Sequence, residues 1–348
     1  MEQKGLAMDL WEKRLEDYLA EYTLPYGAEH NLNRVFRVLK LSAAWPDFVK
    51  LLEKSREELM ETEVPGSSDK RGPSVLPGSL PGDAWPLWLY GADRTFAYEA
   101  HMKEAAALRD AAGIHPYSLQ YLYSILLLED AAVLWDKAGI PREIRHDSFE
   151  DFGYKLLECR KMYGIDGTFV DWFRRFYTVS RFKLGRLQFE LVHASEYDEL
   201  KEPVKINGTM ITPDMTLINV HIPSCGHMPY ESVADAYDKA VEFFDGLRLE
   251  GTDPQPPVFV CHSWLLWPDQ EDFLPRKCNV LPFMRDYTIV DKWPDQGSNL
   301  WRAFYVKYTG DPAMLPRNGS FQRAWAEYLE NGGECGAALG LMVWNKRA

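Results

Sequence analysis

No stretch of the chain restricts its fold more than Thr216 to Leu266. The run Thr216-Leu-Ile-Asn-Val-His-Ile222 is apolar and β-branched, and Val258-Phe-Val-Cys-His-Ser-Trp-Leu-Leu266 is a second such run. Between them, Pro229 to Phe244 places Tyr230, Val233, Tyr237, Val241 and Phe244 at three- and four-residue steps, the spacing of a helix with one buried stripe. A helix of that length suffices for the crossover that parallel strands require, so the segment is predicted to be a βαβ unit. Gly246 supplies a C-terminal stop. The strand-to-helix loop, Pro223-Ser-Cys-Gly-His-Met228, is large enough to meet a ligand.

The chain before this unit reads mostly as helix. Leu10, Trp11, Leu15, Tyr18, Leu19 and Tyr22 mark an amphipathic helix within Ala7 to Tyr22, and others are predicted at Asn31 to Ala44 and Pro46 to Glu61. Glu63 to Gly82 carries eight prolines and glycines from Pro65 onward, too many breakers for a regular element. An ordered meandering loop or a mobile flap is expected there, the first favoured because Trp85, Leu87, Trp88, Leu89 and Tyr90 follow at once and need burial. Helical periodicity resumes at Phe96 to Ala112, Pro116 to Ala138, Phe149 to Met162 and Phe169 to Phe182; the nearly all-apolar second of these should be central to a bundle.

From Leu184 the pattern changes. Leu187, Phe189 and Leu191 alternate with Arg186, Gln188 and Glu190, the period of a strand with one polar face, and Asn207-Gly208 marks a tight hairpin within Val204 to Ile211. Further strands are predicted at Asn279 to Val290 and at Ala337 to Trp344, the last closing the sheet, with helices at Asn299 to Tyr308 and Phe321 to Glu330. The boundary between a helical N-terminal domain, 1–145, and a sheet-bearing domain, 146–348, is placed near Arg145, ahead of this change.

Composition narrows the partners. A chain of 348 residues, 46% hydrophobic, is long enough for about two domains with a substantial core. The formal charge of −13 and pI near 5.2 argue against nucleic acid or an anionic membrane, both of which reward a basic face. No apolar run approaches a membrane span and Met1-Glu-Gln-Lys-Gly-Leu6 is not a signal-peptide core, so a cytoplasmic location is expected. The five cysteines (Cys159, Cys225, Cys261, Cys278, Cys335) are scattered without a C-x-x-C pair, and reduced thiols are expected.

Strand parity decides which polar side chains can meet. Leu217, Asn219 and His221 share one face of the first strand of the βαβ unit, and His262 shares a face with Val258 and Val260 of the second. If the strands adjoin, His221 and His262 approach each other at the carboxyl ends, where open α/β sheets hold ligands, and Gln188 and Glu190 line the same polar face. His221 or Glu190 is then a candidate general base, and His262 a group that orients the partner or protonates a leaving group. The plainer alternative is a set of ordinary polar positions satisfied by hydrogen bonds.

Ile222, Ser224, Cys225, Gly226, His227 and Met228 precede a helix start whose free N–H groups form an anion site, with Gly226 allowing close approach. A phosphate-bearing cofactor would fit; a βα turn capped by Ser224 is the alternative. Ser263 lacks the small residues of a nucleophile elbow, since Cys261 and Leu265 flank it, and Cys225 has the same defect. His221, Cys225 and His227 have metal-ligand chemistry, but the loop brings a proline and no carboxylate, and no metal is expected.

Gly139-Ile-Pro141, Leu184-Gly-Arg-Leu-Gln-Phe-Glu190, His221-Ile-Pro-Ser224, Phe259-Val-Cys-His-Ser-Trp-Leu-Leu266 and Leu315-Pro316 to Ser320-Phe-Gln-Arg-Ala324 together resemble a bacterial acyltransferase family. Its members join a helical N-acyltransferase N-terminal domain to a GNAT-like C-terminal domain. The resemblance implies an α+β or α/β fold: an N-terminal helical bundle followed by a GNAT-like mixed β-sheet flanked by helices. It also implies an acyl-CoA donor, acetyl-CoA among them, lying between two splayed parallel strands with its pyrophosphate on the loop after the first. The expected activity is acyl transfer to a small-molecule amine or hydroxyl by direct attack. A main-chain N–H near His221 to Ser224 would polarise the thioester, and the helical domain and the Glu63 to Gly82 loop would supply the acceptor pocket. A covalent route through Cys225 needs an activated thiolate, with only His227 nearby. Two readings from other classes stand beside this one: a non-catalytic sensor of coenzyme A or an acylated metabolite, and a thioesterase or esterase using Ser263. The loop departs from the family pattern in one respect, having Gly226 alone where two glycines are usual, with Cys225 in the place of the other.

Overall fold

A computed structural model describes residues 9–61, 85–90, 96–249 and 256–345; the Glu63 to Gly82 loop lies outside them. The chain forms two compact units, one of residues 1–67 and 91–179 and one of residues 68–90 and 180–348.

The first unit is helical: α1 (Leu10–Glu21), α2 (Ala28–Leu41), α3 (Trp45–Glu61), α4 (Tyr98–Ala107), α5 (Arg109–Ala112), α6 (Pro116–Leu126), α7 (Leu128–Lys137), α8 (Arg142–Phe149), α9 (Asp151–Tyr163) and α10 (Arg174–Tyr177). The apolar run from Pro116 is two helices rather than one. Ser124 Oγ returns its hydrogen to Gln120 O and the chain tightens at Leu127, whose N–H reaches Ser124 O. Both helices are central, with Leu119, Leu122, Leu126, Leu134 and Trp135 fully buried. One ion cluster ties three helices: Arg14 of α1 donates to Asp130 of α7 and to Leu126 O, and Arg56 of α3 donates to Asp130.

The helical core continues past Arg145, which is why the units divide at Val179–Ser180, close to the change of pattern, and not near Arg145. Phe149, Phe152, Phe173 and Phe176 pack ring on ring, Trp135 Nε1 donates to Phe176 O, and Tyr177 donates to Ser124 O. Only Arg174–Tyr177 of the helix expected over Phe169 to Phe182 forms. Thr168 N–H bonds Tyr117 O and pins the preceding chain to α6 as a loop. At Gly167 a Cβ would lie 2.5 Å from the Tyr117 carbonyl, so this approach requires glycine.

The second unit contains β1 (Phe182–Leu184), β2 (Leu187–His193), β3 (Val204–Ile206), β4 (Thr209–Ile211), β5 (Thr216–His221), α11 (Tyr230–Gly246), β6 (Val258–Ser263), α12 (Gln270–Phe273), α13 (Val280–Arg285), β7 (Thr288–Asp295), α14 (Trp301–Phe304), α15 (Ser320–Glu330) and β8 (Cys335–Val343). The main sheet has the order β1-β2-β5-β6-β8-β7, mixed as expected, with β5 and β6 the parallel pair. Three expectations fail here, the first being the helix over Asn299 to Tyr308, of which only Trp301–Phe304 forms before a left-handed Tyr305 ends it. The Asn279 to Val290 run is not one strand, because Val280 to Arg285 turns as a helix before β7 begins. And β8 lies inside the sheet between β6 and β7 instead of closing it. The real edge, β7, is half exposed and carries Pro294 and a register shift at Asp291, features that edge strands tolerate.

One face of the sheet is covered by α11, whose Tyr237 packs on Phe189 and Phe259. On the other, the β3–β4 hairpin and Leu200 cover Val192, Leu217, Val258 and Val260. Residues 85–90 belong to this unit: Trp85 Nε1 donates to Phe244 O and the Tyr90 ring stacks on His193. Burial of Trp85, Leu89 and Tyr90 matches what their composition demanded.

Candidate functional site

The hydrogen-bonded ladder between β5 and β6 is short. Ile218 pairs with Phe259 and Asn219 with Val260, and there it ends; Val220 and His221 continue without pairing to Cys261, His262 or Ser263. The facing main-chain groups at the carboxyl ends of two parallel strands are therefore left unpaired to each other. This is where an open α/β sheet accepts a ligand.

On one side of this gap the polar face of the sheet is a bonded cluster. Register places Gln188 opposite His221 and Glu190 opposite Asn219. The buried Glu190 carboxylate accepts at both oxygens: Oε1 from His221 Nε2 at 2.9 Å and Asn219 Nδ2 at 3.1 Å, and Oε2 from Arg181 Nε at 3.1 Å, with Arg181 Nη2 at 3.0 Å. Asn219 Nδ2 and His221 Nε2 lie 3.3 Å apart because both aim at one oxygen. An ionised carboxylate can only accept, so His221 carries a hydrogen on Nε2, which in the neutral ring puts the lone pair on Nδ1. The His221 side chain is 18% exposed and that of Glu190 5%, which leaves the imidazole as the accessible member. Gln188 is fully buried beside them, and neither of its amide atoms has a hydrogen-bond partner among the described residues.

Across the gap, His262 is on the face that parity assigned, but no hydrogen bond joins it to this cluster among the described residues. Its ring packs edge-on against Trp293, and partial burial lowers its pKa below the usual 6.5, opposed by the charge of Glu199. Ser263 faces the other way along β6. Its Oγ accepts from Leu265 N and caps a short 3₁₀ turn, and among the described residues no hydrogen bond joins it to a base.

The loop after β5 is built from outside. β1 and β2 meet in a two-residue turn, Gly185-Arg186, made possible by a left-handed Gly185 with φ 73°. From it Arg186 donates Nε to His227 O at 2.9 Å, Nη1 to Pro223 O at 3.0 Å and Nη2 to Gly226 O at 2.9 Å. The N–H groups of Cys225, Gly226, His227 and Met228 have no acceptor among the described residues. They lie just before α11, whose N-cap is Pro229 and which has no side-chain cap, so Ser224 does not cap the helix. A run of open N–H groups at the start of a 17-residue helix is an anion cradle. Cys225 Sγ lies 3.8 Å from Arg186 O, and His227 is exposed; among the described residues no three His, Cys, Asp or Glu gather closely enough to hold a metal ion.

Of the residues singled out in the sequence, the structure brings Glu190 and His221 together and leaves His262 apart from them; Arg181 and Arg186, which join the cluster and the loop, were not singled out. Arg181 lies one residue ahead of β1, opposite Glu190 by continuation of the β1–β2 register, in a stretch whose sequence reads as helix; the Gly-Arg turn was the available signal for Arg186.

Residues 14–179 match the model of an N-acyltransferase N-terminal domain, and residues 181–342 that of a GNAT-like C-terminal domain. The chain belongs to this two-domain acyltransferase family. The matched segments divide where the compact units of the acyltransferase do, between Val179 and Arg181. No curated protein sequence matches it. Solved structures share its fold: an acyltransferase in complex with decanoyl-CoA (TM-score 0.56, 20% identity, 96% of this chain and 94% of that one), and an acyltransferase mutant with octanoyl-CoA (0.57, 19%, 96% and 94%). A third is an acyltransferase with CoA and 10C-teicoplanin (0.55, 19%, 97% and 100%).

Proposed function

We propose that this chain transfers an acyl group from acyl-CoA to an amine or hydroxyl of a small-molecule acceptor by direct attack. One observation carries the reading: the β5–β6 ladder opens beside a loop of unpartnered N–H groups, with an oriented histidine at the same strand end. The pyrophosphate of the donor lies on the N–H groups of Cys225 to Met228, and its pantetheine arm enters between β5 and β6. A main-chain N–H near Ile222 polarises the thioester carbonyl. The acceptor nitrogen or oxygen attacks that carbon and passes its proton to His221 Nδ1 as the C–S bond breaks.

Glu190 holds the His221 tautomer and steadies the imidazolium that forms, a role its ties to Arg181 suit better than that of base. The leaving thiolate needs no strong acid, because a thiol has a pKa of about 8.5. His262, kept neutral near pH 7 by the lowered pKa, serves as a hydrogen-bonding wall of the gap. The fold relatives that hold octanoyl- and decanoyl-CoA extend the donor range to be tested beyond acetyl-CoA.

The test follows free thiol while the protein is incubated with acetyl-, octanoyl- or decanoyl-CoA and a panel of amines. Acceptor-dependent thiol release is expected. Release without acceptor would make the protein a thioesterase, and calorimetric binding without release would make it a sensor; either result overturns the transfer reading.

A further inference from the structure

We infer that Arg186 is a positioning residue for the donor pyrophosphate, doing through its side chain what a second glycine does in loops of this kind. The inference rests on the acyl-CoA reading above. In a trans peptide the C=O of one residue and the N–H of the next point in opposite directions. By drawing the carbonyls of Gly226 and His227 to itself, Arg186 turns the N–H groups of His227 and Met228 away from its own side and towards the open start of α11. The third bond, to Pro223 O, fixes where the loop leaves β5.

Three carbonyls are held by three different nitrogens of one guanidinium. Only arginine presents donors in so fixed a fork; an ammonium has the charge but cannot span these positions. This separates two ways in which Arg186 could favour an anion. As a clamp it acts through geometry and lysine cannot replace it. As a nearby positive charge it acts through Coulomb attraction and lysine restores most of the effect.

Arg186→Lys and Arg186→Met are compared with wild type by calorimetry with coenzyme A, and by turnover of acyl-CoA and of acyl-pantetheine, which lacks the pyrophosphate. Both variants are expected to weaken coenzyme A binding by roughly ten- to a hundredfold, as befits lost charge-assisted hydrogen bonds. The loss in kcat/KM should lie in KM and be at least about tenfold greater for acyl-CoA than for acyl-pantetheine. Near-wild-type affinity in Arg186→Lys overturns the clamp, as do equal losses with both donors, which mark general damage to the fold. Wild-type protein with no affinity for coenzyme A overturns the donor reading and the clamp together; normal wild-type affinity with unaffected variants overturns the clamp alone. If Arg186→Met does not fold, Arg186→Lys carries the comparison.

Discussion

Replacing Glu190 with glutamine tests the candidate site where its geometry is tightest. The carboxylate is saturated by Arg181 on one oxygen and by Asn219 and His221 on the other. Glutamine has the same shape but turns one acceptor into a donor. Arg181 has no lone pair to offer, so the new carbonyl must face it and the new NH₂ must face Asn219 and His221. Asn219 can flip its amide to accept. His221 can accept only by moving its proton from Nε2 to Nδ1, and Nδ1 is the nitrogen assigned to the acceptor's proton. Activity is lost through the wrong tautomer, with the imidazole still in place. In a Ser-His-Asp site the corresponding change lowers kcat about 10⁴-fold, and a general base is commonly worth about 10²–10⁴. A fall in kcat of about 10³ or more is therefore expected, with KM for the donor little changed. Folding should suffer less than the roughly 3–5 kcal/mol of a stripped buried pair, because the glutamine carbonyl still accepts from Arg181. Two measurements check this: kcat and KM with a working amine acceptor, and ¹⁵N chemical shifts of the histidines, which report the tautomer of His221. Glu190→Gln with kcat within a few-fold of wild type, or with the Nε2–H tautomer retained, would refute the reasoning.

Other perturbations separate the two units and the loop. Asp130→Ala removes the carboxylate that Arg14 and Arg56 share and leaves the buried Arg14 with the more exposed Glu129 as its remaining charge partner, so urea unfolding should show a loss of about 1–3 kcal/mol; an unchanged midpoint would show the cluster to be energetically idle. As pH falls through 6.5, the unfolded chain takes up a proton at His262 before the folded protein does, so this residue lowers stability on the acid side. His262→Gln should flatten that part of the stability–pH curve, and an unaltered slope would contradict the assignment. Burial pushes the Cys159 thiol up to about 12 and Cys335 up to about 11, and raises Cys261 as well, so a thiol reagent at pH 8 should spare these three in the native protein. It should reach Cys225, and because that thiol lies on the Arg186 side of the loop, coenzyme A should change its labelling rate little; strong protection by coenzyme A would put the donor on the cysteine's face and contradict this placement.

The βαβ unit was legible because both of its signals are local: β-branched runs flank a helix with a clean stripe, and crossover length fixes their direction. Parity carried the reading further, placing Gln188, Glu190, Asn219 and His221 on one face before any coordinates. The errors arose where local signals tie. Val280-Leu-Pro-Phe-Met284 is a short apolar run that periodicity cannot divide between strand and helix, and tertiary packing made it a helix. Composition placed the domain boundary ahead of the aromatic residues from Phe149 to Phe176, which belong to the helical core although they lie nearer in sequence to the strands. The β8 position also lay beyond local reading, since a strand's place in the sheet is set by pairing and its sequence records only its burial.

Cys225, where the family pattern has a glycine, looks in the sequence like damage to the anion loop. A glycine is needed at a loop position for one of two reasons, a left-handed backbone or close approach of a ligand. The first does not apply, because the one loop residue with positive φ is Gly226, at 98°, and Cys225 is not among the non-glycine residues in that region. The second depends on which side the side chain takes. Its Sγ lies 3.8 Å from Arg186 O, on the side where Arg186 gathers the loop carbonyls, and the N–H groups of His227 and Met228 point the opposite way. The cysteine thus occupies the face that a donor would not use. The residue that looked most damaging in the sequence leaves the cradle open, and the requirement it removes is met by an arginine about forty positions earlier in the chain.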